Sequence, residues 1–85
     1  MTHRRRFSSE QVVNALRRAG FELVRSQGSH GFMAKSRPDG TYLTTTVVLG
    51  RHELKEPTLQ GILDDIGMTY EQFLKYARVK DKSRK

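Results

Sequence analysis

The chain has no cysteine, no tryptophan and only two prolines, and it sets nine acidic residues against sixteen lysines and arginines. The missing cysteines exclude disulfide staples, thiolate nucleophiles and thiolate metal sites together, which leaves histidines, carboxylates and hydroxyls to carry any chemistry. Long apolar runs are also missing. His3-Arg4-Arg5-Arg6 has the charge of a signal-peptide start, but no apolar run follows and nothing later approaches a membrane span. The expectation is therefore a cytoplasmic protein without a membrane partner. The shortage of acid leaves a net charge of +7 and a pI near 10.3. That is the electrostatic footprint of a protein that meets a polyanion, with nucleic acid ranking ahead of lipid because no long interfacial helix is available. Eighty-five residues suffice for one domain with one modest core, and not for a cofactor domain plus a substrate domain. No cofactor is expected.

The local signals are dense. Ser8 with Gln11 forms a capping box, and Phe7 and Val12 occupy the staple positions around it, so a helix starts at Ser8. Val12, Val13, Leu16 and Ala19 share its apolar face, and Gly20 stops it in a Schellman-type end. Phe21 to Ser26 alternates as a half-buried strand, and Gly28 closes it. A second strand covers His30 to Lys35, with either face available to the core. Ser36-Arg37-Pro38-Asp39-Gly40 follows as a hairpin loop on a type I turn, and Thr41 to Leu49 is the third, antiparallel strand. Glu56-Pro57-Thr58 opens a second helix whose Leu59, Ile62, Leu63 and Ile66 make a core stripe ending at Gly67, and Thr69 with Gln72 restarts a short third helix. The predicted organisation is a basic N-terminal arm over residues 1–7, a single domain over 8–79, and a basic disordered tail over 80–85. The fold class is α+β: helix, three antiparallel strands, helix and a short extra C-terminal helix, with the helices on one sheet face.

The candidate chemistry centres on Gln27-Gly28-Ser29-His30-Gly31. A tight turn between two strands can present His30 from a rigid sheet without burying it, which suits a general acid or base. Local context alone favours a solvated turn residue. Charge distribution adds weight to the acid or base reading: residues 1–52 hold nine basic and three acidic groups, residues 53–74 one and five, and residues 75–85 six and one. Arg17, Arg18, Arg25, Ser29, Lys35 and Arg37 are the candidate RNA or phosphate contacts, the basic ones acting collectively. No strand interleaves aromatic and basic residues, so shape and backbone recognition is expected rather than a base-stacking platform. Asp64 and Asp65 diverge by about 100° on a helix and make no metal site. His52 reads as decoration of a loop, and His3 lies on the arm.

Ala19-Gly20-Phe21, Gly28-Ser29-His30, Glu53-Leu54-Lys55 and Thr58-Leu59 with Ile62-Leu63 together resemble the HicA family of toxin endoribonucleases, partners of HicB antitoxins, over roughly residues 8–75. The resemblance implies a fold like the double-stranded RNA-binding domain (dsRBD-like, α-β-β-β-α), and the catalytic role of the Gly-Ser-His histidine for His30. It further implies a metal-independent mRNA interferase acting on RNA (mRNA) and a HicB-like antitoxin as partner. His30 would move a proton during attack by the ribose 2′-hydroxyl, while Arg25, Lys35 and Arg37 bind phosphate, and Ser29 positions His30 or donates to a phosphate oxygen. Many members have a Val-Pro-x-His run where this chain has Val47-Val48-Leu49-Gly50. The competing reading is a non-catalytic double-stranded-RNA-binding module.

Overall fold

A computed structural model describes residues 6–78. Its elements are α1 (Ser9–Arg18), β1 (Glu22–Gln27), β2 (His30–Ser36), β3 (Tyr42–Val48), α2 (Glu56–Ile66) and α3 (Tyr70–Ala77). The strands form one antiparallel sheet in the order β1-β2-β3. This is the expected α+β, dsRBD-like arrangement. Helices α1 and α2 cover one face of the sheet, and α3 lies against α1 and α2 instead of against a strand.

The caps explain the boundaries. The Ser8 side chain accepts from the Gln11 N–H at 3.1 Å while the Gln11 side chain accepts from the Ser8 N–H at 2.8 Å, so two of the first-turn donors are satisfied. At the other end of α1, Phe21 N–H donates to the Leu16 carbonyl and Gly20 N–H to that of Arg17. These are the two bonds of a Schellman end, and they need Gly20 at a φ of 103°. The same pair recurs after α2, from Met68 to Leu63 and from Gly67 to Asp64. The box of Thr69 and Gln72 starts α3.

The core gathers Val12, Ala15 and Leu16 from α1, Met33 and Val47 from the sheet, Leu63 from α2 and Phe73 from α3. Met33 and Val47 settle the face of β2 that alternation leaves open: Gly31 and Met33 point to the helices, and His30, Phe32 and Ala34 to the opposite side. Thr45 is the one polar strand residue buried there, and its hydroxyl donates to Asp65 Oδ2 at 2.9 Å. Asp65 is itself exposed, yet one of its oxygens serves as the partner of that buried hydroxyl.

Arg6 and Phe7, expected as the last two residues of an arm over 1–7, make contacts with the folded domain. Phe7 is buried, its ring meets Phe73 edge-on at 4.9 Å, and its carbonyl accepts from Leu54 N–H at 2.7 Å. Burial of such a ring is worth about 1.5–3 kcal/mol, ample to anchor the chain. Arg6 pairs with Glu53 at 3.0 Å, both side chains remaining about 60% exposed, and adds little. Residues 1–5 and the expected tail at 80–85 lie outside the described residues.

Candidate active site

His30 is the first residue of β2, directly after the two-residue turn Gly28-Ser29. Gly28 takes a φ of 59° and Ser29 stays at negative φ, the glycine-first pattern of a tight hairpin turn. The imidazole is exposed and lies on the open face of the sheet. Its cross-strand neighbours are Gln27 on β1 and Val48 on β3, and directly paired residues hold their Cβ atoms about 4.5–5.5 Å apart.

A β-bulge decides the rest of the site. Regular alternation from Leu23, which faces Met33, would send Arg25 toward the helices. The register shifts between Leu23 and Arg25, so that Arg25 pairs with Phe32 and joins the open face. Its guanidinium lies over the Phe32 ring at 5.0 Å and donates to Gln27 Oε1 at 3.3 Å. Two contacts fix an otherwise floppy cation beside the pair Gln27–His30. The result is a cluster of four side chains, Arg25, Gln27, His30 and Phe32, at one end of the sheet.

The backbone beneath His30 is held from several sides. A Cβ added at Gly31 would meet Leu23 Cδ1 at 2.9 Å and Leu49 Cδ2 at 3.1 Å, so any side chain here must push the ends of two leucines aside. Leu49 N–H donates to the Ser29 carbonyl at 2.6 Å. Ser9, buried at the start of α1, donates its hydroxyl to the Val48 carbonyl at 2.5 Å and accepts from Arg51 N–H at 3.0 Å. Its own N–H donates to the Arg51 carbonyl at 3.0 Å. One serine thereby ties α1 to the end of the strand that pairs with His30.

The predicted phosphate contacts fall in different places. Arg25 and Ser29 are beside His30. Arg17 projects from α1 into a neighbouring cleft, with His52 on its rim. Arg18 donates to the Tyr76 carbonyl at 2.7 Å and serves the α1–α3 contact. Lys35 points to the helix side, its ammonium 5.8 Å from the Phe21 ring centroid. Arg37 sits in the β2–β3 turn, beyond the opposite end of a strand that runs about 3.4 Å per residue. The expectation that Lys35 and Arg37 join Arg25 at one phosphate is therefore corrected by geometry. Gln27 and Phe32 were not singled out as contacts by sequence reasoning, although the strand period of two places Phe32 on the face of His30.

Among the described residues no group of three or more His, Asp or Glu side chains converges as a metal site, and no helix is long and apolar enough to cross a membrane.

Fold and site together define a small basic α+β domain with the fold of the double-stranded RNA-binding domain and a histidine on the open face of its sheet. The profile of one family, described as the HicA toxin of bacterial toxin-antitoxin, matches residues 9–68. The chain belongs to the HicA toxin family, and membership implies an antitoxin as its protein partner. None of the curated proteins matches it. The matched segment begins with the first residue of α1 and ends just past the stop of α2, so α3 is outside it.

Proposed function

We propose that this toxin is an endoribonuclease, an mRNA interferase, in which His30 transfers the proton. The observation that carries this reading is the open-face cluster: an exposed imidazole on a strand whose backbone is pinned, with the Arg25 guanidinium held alongside by Phe32 and Gln27. Imidazole titrates near neutrality and so serves as base or acid without extreme tuning. Neutral His30 takes the proton of the ribose 2′-hydroxyl as that oxygen attacks the adjacent phosphorus. The bond from phosphorus to the 5′-oxygen breaks, and the leaving oxygen takes a proton in turn. The products are a 2′,3′-cyclic phosphate and a 5′-hydroxyl end. Arg25 offers its remaining N–H groups to the non-bridging oxygens, where negative charge grows in the transition state. A HicB-like antitoxin is the partner that would cover this face.

The test is cleavage of RNA by the full chain and by His30→Ala. An exposed residue at a strand end contributes little packing, so the variant should fold normally and bind RNA while cutting about a hundredfold more slowly or worse. Cleavage should persist in a chelator and stop at a single deoxynucleotide on the 5′ side of the scissile phosphate. A variant that cuts at the wild-type rate removes His30 from the mechanism. RNA that is bound but never cut by the wild-type chain makes the protein a non-catalytic binding module.

A further inference from the structure

We propose that the cleft between α1 and the loop from Leu49 to His52 is a second nucleic-acid subsite, taking the sugar-phosphate of a single-stranded nucleotide next to the one cut at His30. The proposal rests on the endoribonuclease reading and adds residues which that reading does not use.

The cleft has a volume of about 590 Å³, within the range of sites that hold small organic ligands. Asn14 and Arg17 line one wall, and Arg51 and His52 the other. Two arginines face a single carboxylate, that of Glu10, along this lining. No ion pair or side-chain hydrogen bond engages the Arg17 or Arg51 side chain among the described residues. Both guanidiniums are available to an anion.

Position gives the cleft its meaning. Leu23 and Leu49 line it, and these are the two side chains that close on Gly31, the residue after His30. The site and the cleft therefore lie on two sides of the same strand end, separated by the width of the sheet. A strand leaving His30 need only round the Gly28-Ser29 turn to enter it. Preorganisation follows from Ser9, which bonds both backbone groups of Arg51 and so fixes where that side chain starts. A phosphate between Arg17 and Arg51 would gain charge-assisted bonds from both. The Asn14 amide stands on the same wall for a base edge or a 2′-hydroxyl. The arrangement suits a flexible single strand, because a duplex could not turn so sharply.

The experiment measures binding of a short single-stranded RNA in the His30→Ala background, where cleavage does not intervene, with Arg17→Gln or Arg51→Gln added. Each should weaken binding about tenfold and make the log–log salt slope shallower by about 0.7. Arg37→Gln, of equal charge change at the far end of the sheet, should leave both quantities as they were. With His30 intact, Arg51→Gln should raise KM about tenfold with kcat within about twofold, and should not affect a dinucleotide that spans only the scissile phosphate. Unchanged binding and KM in a chain that still cuts RNA overturn the cleft and spare the nuclease reading. Weakened binding in a chain that cuts nothing upholds the cleft and sinks the nuclease. Loss of antitoxin binding alone, with RNA binding intact, overturns the proposal and gives the cleft to the protein partner.

Discussion

Gly31 leaves little room beneath the candidate catalytic residue. Its φ is an ordinary strand value, so backbone freedom is not what the position demands; Leu23 and Leu49 occupy the space a side chain would need. The close atoms are the free ends of leucine side chains, and a single methyl can be absorbed by small rotations. A branched side chain cannot. Gly31→Ala is expected to stay close to wild type in stability, whereas Gly31→Val should cost about 1–3 kcal/mol by overpacking, a fall of about 4–8 °C in Tm per kcal/mol for a domain of this size. RNA cleavage should fall in the valine variant by more than lost stability explains, because moving Leu49 disturbs its bond to Ser29 beside His30. Thermal unfolding and cleavage rates, measured on both variants, decide the point. A valine variant as stable as the parent would mean that the leucines are not a firm floor.

At the scale of elements, the β2–β3 hairpin carries a turn that is held by its own residues. Gly40 N–H donates to the Arg37 carbonyl and Arg37 N–H to that of Thr41, with Gly40 at a φ of 90°, which is a type I turn followed by a bulge glycine. Asp39 finishes the turn: its carboxylate accepts from the Thr41 hydroxyl at 2.6 Å and the Thr41 N–H at 3.0 Å. The hydroxyl bond, then the N–H bond and the nearby Arg37 charge, lower the Asp39 pKa below the ordinary carboxylate value. A folded-state pKa below the unfolded one adds stability that is present above about pH 4 and is lost as pH falls through the folded value. The group is fully exposed, so the effect is small. Asp39→Ala should lower Tm slightly at neutral pH, and the gap should close in strong acid. Cleavage by that variant should match wild type, since the turn is at the far end of the sheet from His30. A Tm gap that is the same at both pH values would assign the effect to chain stiffness instead of the carboxylate.

Across the whole molecule, charge and covering decide behaviour. A net charge of +7 favours fast encounter with any polyanion and also with an acidic protein. The antitoxin partner and RNA are therefore expected to compete for the open sheet face. Titration of the co-purified antitoxin should suppress RNA cleavage competitively, and the association rate should fall steeply as salt rises. A stable complex that cuts RNA undiminished would separate the partner's surface from the one proposed for catalysis. The helix beyond the family match has a structural task on this scale. Phe73 of α3 is completely buried against Phe7, so α3 closes the core on the side away from the sheet and leaves the His30 face open.

Local chemistry wrote the elements directly into the sequence: two capping boxes, two glycine-ended helices, a Pro-Asp-Gly turn and the i, i+3, i+4, i+7 stripe of α2 each act through neighbours a few residues apart. The exposure of His30 was legible for the same reason, because a tight turn constrains the residues that adjoin it. The composition of the site was not. Whether His30 or Gly31 faces the core depended on which side of the sheet the helices took, a choice made by packing Met33 and Val47 against α1 and α2. The bulge that carries Arg25 to Phe32 has no local signature, since one extra residue in β1 costs or gains only through the register of its partner strand. The grip of Ser9 on Val48 and Arg51 spans some forty positions of sequence, and no spacing rule reaches that far. Sequence determined the strands, the turn and the histidine; only tertiary packing decided which cation stands beside it.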